Sequence, residues 1–388
     1  MGWSAFRKTG LTHHIPSASV KGYTLVTPLG GDASYLLDMN GHVVHRWRLA
    51  TLGSGFYARL LPNGRLLVMG TDASTPRVQA APGEPLPFDR SIRRIGGNAD
   101  RLLEYDWEGN VVWRYENPAI HHDFARLPNG NTWLPEFVEM PPEAARQVRG
   151  GIQERRGMPS PIISDDYVEI DAQGNEVSRI HLWQLLDPRR DPICPIERRL
   201  EWTHTNSLDV TADGDILFSC RNNSRVGIIR RSDHQLAWKF AGPEINHQHH
   251  ASALPNGNVQ VFDNGPHRLG VQRSAVVEIN PKDNSLVWQY TANPEQQFFS
   301  GHISGAQRLQ RDNVLVCEGA AGRVFEVTSR GEVVWEWITP FTAPTPAGMN
   351  NAWLFRAHRY SPDYSGLAGR ELDPARHRDL NRLYGLSQ

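Results

Sequence analysis

The strongest constraint on the fold is a pair of hairpin phrases that alternate along the chain. The first phrase is an apolar segment ending near an acidic residue, then a turn, then a second apolar segment that often contains Val-Val-Trp. Alternating segments on both sides of a tight turn predict antiparallel β-hairpins. Six copies occur: YLLDMNGHVVHRW (35–47), LLEYDWEGNVVWRY (102–115), YVEIDAQGNEVSRI (167–180), GIIRRSDHQLAWKF (227–240), AVVEINPKDNSLVWQY (275–290) and RVFEVTSRGEVVWEW (323–337).

A second hairpin phrase lies between these copies, and most of its turns carry Asn-Gly or Asp-Gly. Its copies are ARLLPNGRLLV (58–68), DFARLPNGNTWL (123–134), LDVTADGDILFS (208–219), ASALPNGNVQVF (251–262) and GAQRLQRDNVLV (305–316). Each repeat therefore has four strands, A and B from the second phrase and C and D from the first. Four-stranded antiparallel units repeated along a chain predict the blades of a β-propeller.

The two phrases do not occur in equal number, since there are six C–D hairpins but only five A–B hairpins. We expect the missing inner strands to come from the two ends of the chain, residues 22–28 and 352–360. The sequence thus predicts an all-β, six-bladed β-propeller closed by N- and C-terminal strands. A β-solenoid is the alternative, and the irregular spacing of antiparallel hairpins disfavours it.

The repeat also divides the chain into predicted regions. We expect residues 1–20 to form an N-terminal arm, residues 21–362 the propeller, and residues 363–388 a partly helical tail. Three long loops interrupt the repeat, at residues 71–100, 136–164 and 182–201. In a propeller such loops open on one face, so we expect them to cover the mouth of the central channel.

Composition excludes several classes of function. The formal net charge of −1 argues against a nucleic-acid-binding surface, and no apolar run reaches the roughly 18 residues of a membrane-spanning helix. The first residues have no apolar stretch of the secretory kind, so we expect a cytoplasmic protein. The three cysteines, Cys194, Cys220 and Cys317, are widely spaced and predict neither a disulfide framework nor a zinc–thiolate site.

Histidines recur at equivalent positions of the predicted A strands. The strands align on the turn residues Asn63, Asn129, Asp213, Asn256 and Arg311. Seven residues before these stand Phe56, His122, Asn206, His249 and Ser304; nine residues before them stand Ser54, Ile120, His204, His247 and His302. Because side chains two residues apart share one face of a strand, we expect these histidines and Asn206 to converge at the channel mouth.

Residues next to these histidines also have predicted roles. His121 and His250 should face away and be structural. Arg221 follows a B strand and could clamp an anion with its fork of donors; an ion pair between blades is the alternative. Asn264, in the FDNG segment, ends another B strand at the same rim. The alternative is that these histidines merely line a polar, solvated channel and have no function. Four or five histidines in register on successive blades disfavour this alternative.

Two segments carry a resemblance to a known family. EWTHTNSLDVTADGDILFSCRNNS and QHHASALPNGNVQVFDNG resemble segments of bacterial PAPS-independent arylsulfate sulfotransferases, and HHDFARLPNGN and SGAQRL are similar to the short, propeller-only branch of that family. The resemblance covers residues 119–337. It implies that His249 takes the sulfuryl group. It also implies that His122, His204, Asn206 and Arg221 surround that histidine.

Three functions remain open at this point. The first is sulfuryl transfer from an aryl sulfate to a phenol through a histidine-bound intermediate, with no cofactor and with His247, His302 and Asn264 contacting the substrate. The second is a metal-dependent oxidative, lyase or hydrolytic enzyme. Its Fe, Cu, Zn or Mn would be held by His122, His204, His249 and His302. The third is a non-catalytic binding propeller. It would bind a ligand or a partner. We expect a small aromatic or anionic substrate, with neither nucleic acid nor membrane as a partner; homo-oligomerisation stays open.

Overall fold

The repeat folds into six antiparallel sheets, each with four strands from one blade. The structure is a computed structural model that describes residues 8–72, 88–152, 161–344 and 349–386. In sheet order, one blade contains β29 (Leu354–Tyr360), β2 (Tyr23–Pro28), β3 (Ala33–Leu37) and β4 (Val43–Arg48), and a second contains β5 (Leu52–Leu60), β6 (Leu66–Asp72), β7 (Arg101–Tyr105) and β8 (Val111–Glu116). A third blade contains β9 (Ala125–Arg126), β10 (Thr132–Glu139), β12 (Ile163–Ile170) and β13 (Glu176–His181), and a fourth contains β15 (Thr205–Val210), β16 (Ile216–Cys220), β17 (Arg225–Ile229) and β18 (Leu236–Phe240). A fifth blade contains β19 (His249–Ala253), β20 (Val259–Asp263), β21 (Ala275–Ile279) and β22 (Leu286–Tyr290), and the sixth contains β23 (Gly305–Arg308), β24 (Val314–Glu318), β25 (Arg323–Val327) and β26 (Val333–Ile338).

These sheets are the blades of a six-bladed β-propeller, so the predicted fold class is confirmed. All six C–D hairpins and all five A–B hairpins lie where the phrases place them. The helices in the described ranges are short: α1 (Phe88–Ile92), α2 (Pro142–Ala145), α3 (Leu182–Leu185) and α4 (Arg378–Leu383). None of these helices is long and apolar enough to cross a membrane.

The two ends of the chain complete one blade, as the hairpin count predicts. Strand β29 pairs antiparallel with β2, with Tyr360 opposite Tyr23. The predicted N-terminal arm also contains a strand, β1 (Gly10–His14), which pairs with β26 as a fifth strand; residues 1–7 lie outside the described ranges. In the C-terminal tail, the Asn381 side chain bonds both the N–H and the carbonyl of Val43, so the tail is fixed to the blade edge.

The chain divides into two compact units with three blades each. The first unit comprises Met1–Ala73, Leu102–Arg114 and Phe298–Gln388, and the second comprises Ser74–Arg101 and Tyr115–Gln297. Apart from strand ends, the first unit holds the blades that begin with β29, β5 and β23, and the second holds those that begin with β9, β15 and β19.

The insertions of the second unit are more ordered than loops. Strands β10 and β12 stay paired as far as Glu139 and Ile163, so the insertion predicted at 136–164 begins later than expected. Strand β11 (Gly150–Ile152) then pairs in parallel with β14 (Ile193–Arg198) and joins this insertion to the one at 182–201. The first insertion contains α1; its residues 73–87, and residues 153–160 of the second, lie outside the described ranges. A small hairpin of β27 (Ala343–Pro344) and β28 (Asn350–Asn351) lies in the first unit.

Inside the first unit, a buried ion pair holds the terminal strand β29. Arg359 and Glu326 pair with side chains that are 1% and 0% exposed. Glu326 also accepts hydrogen bonds from the backbone N–H of Val20 and the side-chain amide of Asn313. Arg359 donates to the carbonyl of Val20 and the hydroxyl of Thr24. Losing either partner would leave a buried charge uncompensated.

We therefore expect Arg359→Met to lower the free energy of unfolding by about 3–5 kcal/mol, the usual scale for breaking a buried pair. Arg330→Met is the matched control, because Arg330 and Glu332 form a pair with side chains that are 81% and 60% exposed, and this control should cost at most about 1 kcal/mol. Urea unfolding measures both variants. Equal losses would show that the Arg359 pair does not hold the terminal strand.

Candidate functional site

The inner strands of the second unit begin only after most of their predicted site residues. Strands β9, β15 and β19 start at Ala125, Thr205 and His249. His122, His204 and His247 precede their strands and have left-handed backbones, with φ of 56°, 50° and 52°. Strand alternation therefore does not extend to these positions. The left-handed conformation costs an L-residue about 1–2 kcal/mol, so hydrogen bonds from the surrounding loops must hold the three histidines.

Side chains of one blade tie down the backbone of the next at these strand starts. Oδ2 of Asp123 accepts from the N–H of Leu208 at 2.9 Å, and Oγ of Ser207 accepts from the N–H of Ala251 at 2.9 Å. Asn206 donates from Nδ2 to the carbonyl of Gln248 at 2.7 Å. Asn206 is thus bonded to the backbone immediately before His249.

His249 is held by the FDNG segment, which the sequence places at the same rim. The pairing of β19 with β20 sets His249 opposite Phe262, and Oδ1 of Asn264 then lies 2.7 Å from Nδ1 of His249. Both residues are buried. Because the amide oxygen only accepts, Nδ1 carries a proton in this contact, and the neutral form of the ring then has its lone pair on Nε2. The contact therefore sets Nε2 as the nitrogen of His249 that can act as a nucleophile.

His122 stands at the end of a buried chain of polar groups. Nδ1 of His122 lies 2.9 Å from Nδ1 of His121, and Nε2 of His121 lies 3.2 Å from Oδ1 of Asp165. Burial alone would raise the pKa of Asp165, but hydrogen bonds from His121 and Thr203 and the charge of His121 outweigh it and lower that pKa. The Asp165 carboxylate thus faces Nε2 of His121, and the other nitrogen of that ring contacts Nδ1 of His122. Nε2 is the nitrogen of His122 that this chain of contacts does not use.

His204 lies beside His122 and is oriented by a different acid. The two rings meet edge to face with centroids 4.7 Å apart. Glu201 accepts the Nδ1 proton of His204, so any proton exchange with a ligand falls to Nε2. The carbonyl of His204 accepts from the backbone N–H of Arg221 at 3.1 Å. The structure thus brings His122, His204 and Arg221 to one place.

The guanidinium of Arg221 is partly engaged. Its Nη1 donates to Glu197 at 2.7 Å and to Asn222 at 3.0 Å. The ion pair anticipated as an alternative therefore exists, but its acid comes from the insertion at 182–201 rather than from a neighbouring blade. Within the part of the chain that the structure describes, Nε and Nη2 have no hydrogen-bond partner, so this side of the fork can still bind an anion.

His247 belongs to a second cluster of donors, together with His267 and Cys194. Nε2 of His247 lies 2.9 Å from Nδ1 of His267, which lies 3.3 Å from Sγ of Cys194. Burial lowers the pKa of His247 to about 2, with the nearby Arg221, His267 and His204 adding to the effect. Among the described residues, this is the group with three metal-type donor atoms within 4.8 Å of one another, and it does not include His122, His204 or His249.

His302 lies in the other unit. Its ring packs edge to face against Trp353 with centroids 4.8 Å apart, and its carbonyl accepts from the hydroxyl of Ser300 at 3.0 Å. The role in substrate or metal binding given to His302 from the sequence stays a prediction.

Several residues that shape this site were not singled out from the sequence. They are Asp165, Cys194, Glu197, Glu201 and His267. Three of them lie on the insertion at 182–201, which has no repeat register that could have placed them. Glu201 had one readable signal, its position three residues before His204.

Gly97 contacts both the backbone and the ring of His122. Its carbonyl accepts from the N–H of His122 at 2.9 Å, and its φ is +76°. A Cβ at this position would overlap the His122 ring. Gly214 offers a matched comparison, because its φ is +85° but a Cβ there would meet nothing within 4 Å.

We expect Gly214→Ala to cost about 1–2 kcal/mol of unfolding free energy from the left-handed backbone alone. Gly97→Ala should cost about 1–3 kcal/mol more, because it also overpacks the ring of His122. Urea unfolding of the two variants gives the difference. If the unfolding free energy falls by the same amount in both variants, the His122 ring does not pack against Gly97.

Comparison with known proteins agrees with the resemblance read from the sequence. The family model described as arylsulfotransferase (ASST) matches residues 101–340, which include every candidate site residue. No curated protein sequence matches the chain.

Solved structures match most of the chain at low identity. A protein of unknown function from Bacteroides caccae is 14% identical, with a TM-score of 0.52, over 87% of this chain and 98% of that chain; this likeness concerns the fold alone. A streptogramin B lyase is 10% identical, with a TM-score of 0.47, over 91% and 93% of the two chains. On the match of the family model, which spans more than half of its length, the chain belongs to the arylsulfotransferase family.

Proposed function

We propose that the chain transfers a sulfuryl group from an aryl sulfate to a phenol, with His249 as the carrier. The observation that carries this proposal is the hydrogen bond between Nδ1 of His249 and Oδ1 of Asn264. It gives Nδ1 an acceptor, so the neutral ring carries its lone pair on Nε2, which is the form that a nucleophilic histidine needs. Membership of the arylsulfotransferase family supports the same chemistry.

In the first step, Nε2 of His249 attacks the sulfur of the aryl sulfate. The Nε2–S bond forms as the bond between sulfur and the aryl oxygen breaks, and the electron pair leaves with the phenolate. In the second step, the oxygen of the acceptor phenol attacks the same sulfur and returns His249 to its starting state. The two steps exchange one phenol for another and need neither a cofactor nor a redox partner.

Protons must move in both steps, because a phenolate leaves and a phenol attacks. His122 and His204 lie side by side, and each is oriented through its Nδ1, so Nε2 is the reactive end of both rings. One of them would protonate the departing phenolate and later take the proton of the acceptor. Imidazole suits this exchange because its ordinary pKa lies near neutrality.

Negative charge on the sulfuryl oxygens requires fixed donors. Arg221 is bonded through its backbone to His204, and Nε and Nη2 of its guanidinium remain available within the described residues. Such preorganised donors act most strongly where the charge develops in the transition state. Asn206 has a different part in this account: it positions the backbone before His249.

We expect His249→Ala to abolish transfer from a simple aryl sulfate to a phenol. Kinetics of the wild-type protein should be ping-pong, and mass spectrometry after a rapid quench should find a labile sulfuryl adduct on the peptide with His249. His234→Ala is the matched control, since His234 lies outside the site and bonds Ser178; its transfer rate should equal that of the wild type.

Adduct formation should persist in protein treated with a chelator, because no metal takes part in either step. Loss of both activity and adduct on chelation, with recovery on adding a metal, would favour the metal-dependent alternative. The absence of turnover with every aryl sulfate tried, together with no adduct, would leave a binding propeller.

Arg221→Met should reduce the rate of adduct formation about 10²-fold, the usual scale for one preorganised donor. Asn264 allows a graded test: Asn264→Asp keeps an acceptor for Nδ1 of His249, whereas Asn264→Ala removes it. Stopped-flow measurement of phenol release should therefore rank the wild type and the Asp variant above the Ala variant. Equal rates for Asp and Ala would mean that Asn264 does not orient the nucleophile.

A further inference from the structure

The donor cluster of Cys194, His247 and His267 takes no part in the proposed transfer. The cluster joins two parts of the second unit, since Cys194 lies on β14 of the insertion at 182–201 while the two histidines flank the A–B hairpin of the β19 blade. His247 is fully buried, and the side chain of His267 is 22% exposed. The cluster is therefore reachable from solvent on one side only.

Hydrogen bonds alone do not account for every close contact in this cluster. Nδ1 of His267 faces both Nε2 of His247, at 2.9 Å, and Sγ of Cys194, at 3.3 Å. One proton on that nitrogen can serve only one of the two contacts. Nδ1 of His247 is buried and has no hydrogen-bond partner among the described residues. A cation bound by Nε2 of His247, Nδ1 of His267 and Sγ of Cys194 would engage these three donor atoms at once, while Nδ1 of His247 would face away from it.

The spacing of the donors is close to that of a tetrahedral metal site. Zn–N bonds of about 2.05 Å and a Zn–S bond of 2.3 Å imply N–N and N–S separations of about 3.3 and 3.6 Å between ligands. The His247–His267 and His267–Cys194 separations of 2.9 and 3.3 Å are shorter by a few tenths of an ångström, and the third pair lies within 4.8 Å. Small rotations of the side chains would therefore open the site. Thiolate and imidazole donors exclude Mg²⁺ and Ca²⁺, which prefer oxygen.

Glu197 completes the surroundings of the cluster. Its Oε1 lies 3.4 Å from Nδ1 of His247 and 3.9 Å from Nδ1 of His267, and it also accepts from Arg221. A carboxylate behind a ligating histidine is the usual way to fix which nitrogen binds the metal. With Nδ1 of His247 turned to Glu197, its Nε2 is the nitrogen directed at Cys194 and His267.

From this geometry we infer that Cys194, His247 and His267 form a Zn²⁺ site, with Glu197 as its supporting carboxylate and a fourth position open to water. This assignment goes beyond the proposed transfer and does not depend on it. The metal would link β14 to the β19 blade.

Cobalt titration of the full chain tests the assignment. Reduced, chelator-treated protein should bind one equivalent of Co²⁺ with a thiolate-to-cobalt charge-transfer band and the intense visible bands of tetrahedral coordination. Zn²⁺ should displace the Co²⁺. Cys194→Ser should remove the charge-transfer band and weaken binding at least about 10-fold. His267→Ala should weaken binding to a similar extent. His42→Ala is the control, because His42 bonds Asp38 in the other unit, and it should bind as the wild type does.

A second measurement guards against misfolding. In chelator, the variants and the wild type should melt at the same temperature, whereas Zn²⁺ should raise the Tm of the wild type and of His42→Ala only. A cobalt spectrum without thiolate character would overturn the site, as would a charge-transfer band that survives in Cys194→Ser or an absence of binding at micromolar metal. The sulfuryl adduct is measured on chelated protein, so a failed metal site and a failed transfer are distinguishable.

Discussion

The need to satisfy buried polar groups at the starts of the inner strands governs this structure. An unpaired polar group in such a place costs about 1–3 kcal/mol, and several groups here are met by a side chain or backbone atom of a neighbouring segment. Asp123 and Ser207 bond the backbone of the next blade, Asp165 anchors His121, and Asn264 anchors His249. His122, His204 and His247, which lie just before these strands, have left-handed backbones that no strand would give them.

The same constraint explains why the site has two kinds of support. Groups from the blades, such as Asn264 and Asp165, decide which nitrogen of a histidine carries the proton. Two acids from the insertion at 182–201 orient side chains of the site: Glu197 accepts a hydrogen bond from Arg221, and Glu201 accepts one from His204. Proton placement on His249 thus depends on the blades, whereas proton placement on His204 and the orientation of Arg221 depend on the insertion.

The sequence predicts the fold well because strand alternation and Asn-Gly turns are local signals that repeat. The hairpin count even requires that the chain ends supply strands, and β2 with β29 do so. Site positions are less readable. The alignment of A strands selects His122, His204 and His249, but the strands begin too late for alternation to orient them. His121, expected to be only structural, lies between Asp165 and His122.

The insertions show why the remainder could not be read from the sequence. Cys194, Glu197 and Glu201 lie in an aperiodic segment, so neither spacing nor turn chemistry assigns them neighbours. Their placement follows from the parallel pairing of β11 with β14, two short strands separated by roughly 40 residues of chain. Cys194 appeared isolated in the sequence because its partners His247 and His267 belong to another blade.

The central claim is that Asn264 holds His249 as a neutral imidazole with its lone pair on Nε2. Nitrogen-15 NMR of the full chain with labelled histidine measures this tautomer directly, and comparison with His249→Gln assigns the signal. The account predicts that His249 is neutral at neutral pH and protonated at Nδ1, and that Asn264→Ala abolishes this preference. A wild-type signal with the proton on Nε2, or a doubly protonated ring, would contradict it.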